Sequence, residues 1–463
     1  MTERMSGSDA VLFHMEDRET PVHTLKVVVL DTTRRGRLVT LDDLALAVGS
    51  HLGMVPRSTQ KVAAAPGFGG RPFWVDDADF DLRRHLDERT LAAPGTAAEL
   101  DALYSDLASE FLPRDRPVWA MTLVHGLDGG RQAIVVRVHH AIADGLAALH
   151  TFLAATTDEP GQTAAITPAR IGVATSRRRL TAAAAADTLR TWRSLPRLVG
   201  QLRGARNRAG AYRGHPDIPR FVTFGRTSLN AASGPARVCG AGSLDLATVR
   251  AIGKATGTTV NGVLHAVIAG AVRAELAARG EDVSESTIAS FGIATDRADT
   301  DRLYGNFVTP TFVRLRSDLA DPLDRLEATA RSCGVAVAAR RQAGLGLTDE
   351  LSARAPRLLN RFRRVAARHT TMNPAHVVTA NVAGPKHRRW IGDIEVVDWF
   401  SFAIAMLPAC VNLTVHSYDG RMNVGIVADP AALPAPRLLL ERLAEELDAL
   451  AAAVAVERAV GAA

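Results

Sequence analysis

A strand that runs directly into a polar turn and a helix, between residues 131 and 153, constrains the fold of this chain more than any other segment. Residues 131–138 are rich in β-branched side chains and predict a buried strand. The next seven residues read His139-His140-Ala141-Ile142-Ala143-Asp144-Gly145. Asp144 is a favoured helix N-cap, and the apolar stretch behind it predicts a helix that begins there. The sequence therefore places two adjacent histidines in a turn between a sheet and a helix.

This histidine pair supplies a candidate general base. A neutral imidazole in such a turn can accept a proton from a hydroxyl or thiol, because its unperturbed pKa lies near working pH. We expect His139 and His140 to point in opposite directions, so that one faces substrate and the other packs or forms a hydrogen bond. We expect Asp144 to hold the turn, by capping the helix or by pairing with an arginine, and Gly145 to allow a close approach of the backbone.

A structural histidine pair and a metal site are the alternative interpretations. A bare pair followed by an aspartate is more often structural, whereas the full seven-residue pattern at a strand end favours catalysis. The other histidines are scattered singly, so a metal site lacks further ligands at a sensible spacing. Three widely spaced cysteines, Cys239, Cys333 and Cys410, fit reduced thiols and not a nucleophile in a recognisable constellation.

Composition bounds the class of protein. A chain of 463 residues with 47% hydrophobic content has enough apolar material for two cores. Charged residues interrupt its longest apolar stretch, residues 262–278, so no membrane span is predicted. Acidic residues near the N-terminus argue against a signal peptide, and we expect a cytoplasmic protein. The net charge of +6 suits an anionic partner, but 5% aromatic content without a stacking platform argues against nucleic acid.

Strands and helices intermix along the chain, and we predict an α/β (α+β) protein with two lobes. The first lobe covers residues 1–165, an arginine-rich and partly helical linker covers 166–235, and the second lobe covers 236–463. Ten arginines lie between Arg177 and Arg213 against a single acid, Asp187. The linker therefore fits either a basic surface that contacts a membrane or an acyl carrier, or a solvated connector.

Motifs in chain order add a resemblance. The heptapeptide matches the HHxxxDG motif of the chloramphenicol acetyltransferase-like superfamily. The chain also resembles the bacterial wax ester synthase/diacylglycerol acyltransferases through Pro117-Val118-Trp119 for the PLW motif, Asn261 at the ND position, Gly305-Asn306 after Asp296-Arg297, Asn381-Val382-Ala383-Gly384-Pro385 for NVPGP, and residues 412–420 for LNI…SYxG. The departures are Gly262 for the aspartate of ND, Val118 for the leucine of PLW, and Ala383 for the first proline of NVPGP.

The resemblance implies a two-lobed fold in which a channel between the lobes holds the histidine motif. It implies acyl-CoA as the donor substrate, diacylglycerol or a fatty alcohol as the acceptor, no separate cofactor, and peripheral contact with a membrane or lipid droplet. His140 would act as general base without a covalent intermediate, and Asn261 or a backbone amide would stabilise the oxyanion. The implied catalytic residues are His140, His139, Asp144 and Gly145, and the implied substrate-binding residues are Trp119, Asn261, Arg297, Asn306 and Asn381. Alternatives are transfer or condensation from a carrier-bound thioester, and a catalytically weak lipid-droplet surface protein.

Overall fold

The computed structural model describes residues 2–65, 70–169, 171–219, 225–295, 301–345 and 375–461, and residues 350, 354, 356–358, 360, 361 and 365. Its strands are β1 (Thr2–Arg4), β2 (His23–Asp31), β3 (Gln60–Ala63), β4 (Phe73–Asp76), β5 (Leu86–Thr90), β6 (Trp119–His125), β7 (Gln132–His139), β8 (Val238–Asp245), β9 (Ile288–Ala294), β10 (Val308–Arg314), β11 (Val377–Val382), β12 (Arg389–Ile391), β13 (Ile394–Phe402), β14 (Val411–Tyr418) and β15 (Arg421–Ala428). Its helices are α1 (Gly7–Met15), α2 (Leu41–His51), α3 (Ala97–Ser109), α4 (Gly145–Ala155), α5 (Arg177–Arg193), α6 (Leu195–Ala209), α7 (Leu246–Thr256), α8 (Val260–Ala278), α9 (Pro322–Ala343) and α10 (Pro436–Gly461).

Two six-stranded mixed sheets form the centres of the two lobes. The first has the order β12-β13-β2-β7-β6-β5, and the second has the order β10-β9-β11-β14-β15-β8. A third, three-stranded sheet has the order β1-β4-β3. The predicted α+β class with two mixed sheets is therefore confirmed.

Strand β7 lies in the middle of the first sheet. It pairs antiparallel with β2 on one side and with β6 on the other. The connection from β6 to β7 passes through Asp128-Gly129-Gly130, where both glycines have a φ of +71°. Glycine reaches this left-handed region without a Cβ clash, which allows the tight turn between the two strands. Buried neighbours on both sides fix β7 and thus the position of its C-terminal histidines.

The second half of the chain contributes two strands to the first sheet. Strand β13 pairs with β2 from Glu395↔Asp31 to Phe402↔Leu25, and β12 extends the sheet beyond it. Trp399 and Phe402 are 1% and 0% exposed and complete the two apolar layers of this lobe. The lobe limits at residues 165 and 236 stay a prediction, but a division at those points leaves out this crossover.

Helix α8 is the central helix of the second lobe. It is long and apolar enough to cross a membrane by length and composition, yet 72% of its apolar window is buried inside the protein. Its apolar side chains join one core with α7, α9, α10 and the second sheet. Burial on several sides explains why this helix is hydrophobic around most of its circumference.

The predicted linker is largely helical and contacts both lobes. Asp187 of α5 forms ion pairs with Arg4 and Arg71 beside the three-stranded sheet. Helix α6 runs along α9, where Arg208 Nε donates to the backbone carbonyl of Gln342 at 2.7 Å. The segment is thus a packed connection between the lobes.

Helix α3 of the first lobe covers β8, an edge strand of the second sheet. The side chains of Asp101, Ser105 and Ser109 accept the backbone N–H groups of Ala241, Cys239 and Arg237 at 3.1, 2.9 and 2.8 Å. The acceptors are four residues apart along the helix, about 6 Å, and the donors are two residues apart along the strand, about 6.6 Å. The two spacings match, so each side chain meets one N–H group. The contact satisfies edge N–H groups that would otherwise be unpaired and joins the lobes.

We expect Ser105→Ala to lower the free energy of unfolding by about 1–3 kcal/mol, because it leaves the N–H of buried Cys239 without its partner. Chemical denaturation monitored by circular dichroism measures this change. The matched control is Asp106→Ala on the exposed side of α3, for which a change within about 0.5 kcal/mol is expected. Equal effects of the two substitutions would show that this hydrogen bond does not stabilise the fold.

Candidate active site

The strand, turn and helix predicted around the two histidines are present. Strand β7 ends at His139, and α4 begins at Gly145 with Asp144 as its N-cap. The backbone N–H of His140 donates to the carbonyl of Val22 at 2.9 Å, which holds the turn against the start of β2. The two histidines also differ in their surroundings, as predicted.

His139 is a packing residue. It is completely buried, and its ring lies 5.5 Å from the ring of Phe13. Its Nδ1 accepts the N–H of Ala141 at 3.1 Å, and its Nε2 lies 3.7 Å from a carboxylate oxygen of Glu16. Burial, with a contribution from Arg114, holds the pKa of His139 well below its usual value. The ring is therefore neutral and stabilises the turn by its hydrogen bond with Ala141 and its packing against Phe13.

His140 is oriented by Asn306. Its Nδ1 lies 3.0 Å from Asn306 Oδ1. The amide nitrogen of Asn306 donates to the backbone carbonyl of His140 at 2.7 Å and to a carboxylate oxygen of Asp9 at 2.8 Å. Because a carbonyl and a carboxylate accept, the amide oxygen is the atom that faces the ring. The imidazole then carries its proton on Nδ1 and presents an unprotonated Nε2, the form that a general base requires.

Asp144 holds the turn, by both of the means that the sequence predicts. One carboxylate oxygen caps α4 by accepting the N–H of Ala147 at 3.0 Å. The other accepts from Arg302 at 2.5 Å and from the N–H of Phe307 at 3.0 Å. Asp144 is 3% exposed, so this carboxylate is fully used in structure. Removing one member of a buried, hydrogen-bonded ion pair costs about 3–5 kcal/mol, which makes the pair a major support of the turn.

Residues 302–307 lie against the turn that carries His139 and His140. Gly305 donates to the carbonyl of Ile142 at 2.6 Å and accepts the N–H of Asp144 at 3.2 Å. Its φ is +86°, which a glycine adopts without strain. This bridge positions Asn306 beside His140.

Glycine is also needed at the start of α4. A Cβ on Gly145 would lie 3.2 Å from Cγ2 of Val382, so the end of β11 approaches the helix closely. In the same strand, Thr379 is 2.9 Å from Nε2 of His265 in α8. The second lobe therefore meets the histidine turn through both β11 and residues 302–307.

A half-buried lysine, Lys26, acts electrostatically on His140. Burial lowers the pKa of His140, and the Lys26 ammonium lowers it further, whereas Asp144 and Asn306 raise it. Burial also lowers the pKa of Lys26, to about 8. His140 is thus neutral and Lys26 still largely charged near neutral pH. A neutral imidazole close to a cation is ready to accept a proton when an oxygen anion develops nearby.

Two residues with an implied substrate-binding role have structural roles here. Asn306 is 8% exposed and uses its whole amide on His140 and Asp9, so it positions the base. Trp119 is 6% exposed, stacks on His85 with ring centroids 4.4 Å apart, and donates its indole N–H to Ser58. In both residues the polar side-chain atoms form hydrogen bonds within the protein, and their role toward substrate stays a prediction.

The other implied substrate-binding residues are not assembled around His140 by any contact in the described residues. Asn381 is exposed near the end of β11. Asn261 lies in the first turn of α8, and its backbone carbonyl is 2.8 Å from Nδ1 of His265. At Gly262, where the resemblance expects a carboxylate, a Cβ would lie 3.2 Å from the Cβ of Ala330, so the position faces α9. Arg297 lies outside the described residues.

Other nucleophiles and metal ligands are not assembled in the part of the chain that the structure describes. All three cysteines are buried, and burial raises the pKa of Cys333 and Cys410 to about 12. No group of three histidine, cysteine, aspartate or glutamate side chains comes together as a metal site there. His140, with an unprotonated Nε2, is the group of this site that can accept a proton.

Sequence reasoning missed Asp9 and Lys26. Asp9 lies in α1, far from His140 in sequence, and carries no local signal of its contact with Asn306. Lys26 does carry one, because a lone lysine within the apolar run of β2 predicts a charged group inside the protein.

Comparisons with known proteins point to one family. The sequence model for the wax ester synthase/diacylglycerol acyltransferase catalytic domain matches residues 5–264, and the model for the corresponding C-terminal domain matches residues 304–451. A protein of Mycobacterium tuberculosis (strain ATCC 25618 / H37Rv) that is assigned by name to the diacylglycerol O-acyltransferases is 31% identical over 453 residues, which cover 93% of each chain.

Solved structures show the same fold. The wax ester synthase/diacylglycerol acyltransferase from Marinobacter aquaeolei VT8 superposes with a TM-score of 0.67 at 21% identity, over 98% of this chain and 100% of that one. Trichothecene 15-O-acetyltransferase from Fusarium sporotrichioides gives a TM-score of 0.60 at 13% identity, over 97% and 95% of the two chains. At these identities the likeness concerns the fold.

Proposed function

Because the chain belongs to the wax ester synthase/diacylglycerol acyltransferase family, we propose that it transfers a long-chain acyl group from acyl-CoA to a lipid alcohol, either diacylglycerol or a fatty alcohol. His140 is the general base in this proposal. The observation that carries it is the amide of Asn306, which orients the ring so that Nε2 stays unprotonated.

The reaction follows from that orientation. The hydroxyl of the acceptor gives its proton to Nε2 as its oxygen attacks the thioester carbon. The tetrahedral intermediate then collapses, the C–S bond breaks, and the thiolate of CoA takes the proton from Nε2. Asp144, paired with Arg302, keeps the turn in place throughout. The buried cysteines support direct transfer without an acyl-enzyme, because a thiol of raised pKa is a poor nucleophile.

A wall of partly exposed apolar side chains, part of which packs against the core of the first lobe, lies on one face of β7. Ile134, Val136 and Val138 alternate with buried residues of β7, and solvent reaches part of each. They lie on the same side of the strand as His140 by the two-residue repeat. Such a wall suits an acyl or alkyl chain better than a polar substrate, which supports a lipid acceptor.

Peripheral contact with a membrane or lipid droplet is part of the proposal. Helices α5 and α6 expose Leu189, Trp192, Val199 and Leu202. Exposed arginines accompany them, including Arg190, Arg193, Arg197, Arg203 and Arg206. Apolar side chains flanked by arginines suit the boundary of an anionic lipid surface.

For this contact, we expect the double substitution Leu189→Ser, Trp192→Ser to lower the affinity for phosphatidylglycerol vesicles, measured by co-sedimentation, by roughly tenfold or more. A loss of about 1.4 kcal/mol of binding free energy corresponds to a tenfold lower affinity. The matched control is Leu46→Ser in α2, another exposed leucine, which should sediment like the wild type. Unchanged sedimentation of the double variant would remove these helices as the contact surface.

For the reaction, we expect His140→Ala to lower acyl transfer from palmitoyl-CoA to dioleoylglycerol or hexadecanol by about 10²–10⁴-fold, the usual contribution of a general base. Thin-layer detection of the labelled ester measures both products and identifies the better acceptor. The control is His387→Ala at an exposed histidine, which should keep wild-type activity.

Two results would contradict the proposed function. Product formation by His140→Ala at the wild-type rate would remove the base. No ester from the wild type with either acceptor, but product with a carrier-bound thioester, would move the chain to the condensation alternative.

A further inference from the structure

Lys26 is a half-buried cation whose neighbours along the strand are buried. It lies in β2, where Lys26 pairs with Val136 of β7 on one side and with Ser401 of β13 on the other. Paired residues point to the same face of a sheet, and Val136 shares its face with His140 by the two-residue repeat. Lys26 therefore lies on the face of the first sheet that carries the base.

The ammonium of Lys26 is incompletely paired. Its Nζ donates to the hydroxyl of Ser401. Within the described residues no carboxylate comes within ion-pair distance of Nζ, since Asp144 is bonded to Arg302. An ammonium has three donors, so two remain after the Ser401 bond. Because Lys26 is only partly exposed, these donors are available to a negative group on this face of the sheet.

A second side chain with unused polar atoms faces the same place. His416 of β14 is 1% exposed, and neither of its ring nitrogens has a hydrogen-bond partner within the described residues. Its ring packs edge-on against Trp399 of β13, with centroids 4.6 Å apart, two residues before Ser401. Burial, with the nearby Lys26 charge, lowers the pKa of His416 to about 3, so the ring is neutral. The second lobe thus brings a neutral polar ring to the face that carries Lys26.

We propose that Lys26, held by Ser401 and backed by His416, binds the oxygen anion that forms on the thioester carbonyl beside His140. This inference rests on the proposed acyl transfer. It assigns to Lys26 the stabilising role for which the sequence resemblance offers Asn261 or a backbone amide.

The electron balance of the step shows what the lysine does. The acceptor oxygen forms a bond to the thioester carbon and its proton passes to His140 Nε2, while the carbonyl π pair moves to the carbonyl oxygen. That oxygen now carries a full negative charge, and the Lys26 ammonium supplies the countercharge in a site of low dielectric. When the C=O bond re-forms, the C–S pair leaves with sulfur and the thiolate takes the proton from Nε2. Lys26 keeps its own proton throughout.

The direct test is Lys26→Met, which keeps the length of the side chain and removes the charge. Because loss of an uncompensated, partly buried charge does not oppose folding, the variant should remain folded, as thermal unfolding can verify. We expect kcat on the plateau near pH 7, where His140 is neutral and Lys26 still charged, to fall by roughly 10²-fold with little change in KM, the usual loss for an oxyanion donor. The control is Lys254→Met at an exposed lysine of α7, which should keep wild-type kcat.

The pH profile separates binding of the anion from tuning of the base. The charged and titratable groups near Lys26 are His140, Asp144 and His416. Loss of the Lys26 charge raises the pKa of His140, so the acid limb of the activity profile moves to higher pH in Lys26→Met. If the acid limb of the Lys26→Met profile moves but the plateau value of kcat equals that of the wild type, Lys26 only shifts the pKa of His140. This result would overturn the proposal.

One further measurement needs no turnover, and another compares a charged with a neutral acceptor. Calorimetric binding of hexadecylphosphonate, a tetrahedral anion, should weaken at least about tenfold in Lys26→Met while hexadecanol binding stays unchanged, and this holds even if acyl transfer itself is not found. Equal phosphonate affinity of wild type and variant would overturn the anion site. If the wild type prefers 2-hydroxyhexadecanoate over hexadecanol and the variant loses only that preference, the bound anion belongs to the acceptor, and the assignment to the oxyanion is wrong.

Discussion

The hydrogen bond between His140 and Asn306 joins two residues that are 166 positions apart, and the active-site turn depends on it. The first lobe delivers the imidazole at the end of β7. The second half of the chain supplies the amide that selects its tautomer, and α1 supplies the Asp9 carboxylate that fixes the amide. This orientation of His140 therefore depends on residues from both lobes and from the N-terminal helix.

The other contacts between the halves serve the same requirement. The ion pair of Asp144 with Arg302 holds the histidine turn, and the backbone hydrogen bonds of Gly305 position Asn306. Strand β13 joins the first sheet beside β2. The contact of α3 with β8 satisfies the edge of the second sheet with side chains of the first lobe. Since each of these bonds crosses between the halves, a relative shift of the lobes would disturb the geometry of the base.

Local signals in the sequence were sufficient for the local parts of this site. The β-branched run, the aspartate N-cap and the adjacent histidines predicted the strand, the turn and the opposite surroundings of His139 and His140. The same holds for the turn at Asp419-Gly420, where φ values of 46° and 80° join β14 to β15. Each of these features depends on neighbours within a few residues, which a sequence displays directly.

Contacts between distant segments were not accessible in this way. Nothing within α1 announces that Asp9 meets Asn306, and nothing near residue 394 announces that β13 joins the first sheet. The motif resemblance predicts that Trp119 and Asn306 bind substrate, and burial and internal hydrogen bonds add structural roles that the motifs do not display. A motif indicates that a residue type is needed at a position, and the three-dimensional contacts show which role the residue has there.

The tautomer of His140 is the most direct test of this account. Two-bond ¹⁵N–¹H correlation spectra of the protein labelled with [¹⁵N]histidine, with His140→Gln to assign the signal, distinguish a protonated from an unprotonated ring nitrogen. We expect Nδ1 to carry the proton and Nε2 to be unprotonated at neutral pH, and Asn306→Ala to abolish this single form. A proton on Nε2 in the wild type, or the same spectrum in Asn306→Ala, would contradict the claim that Asn306 prepares His140 as the base.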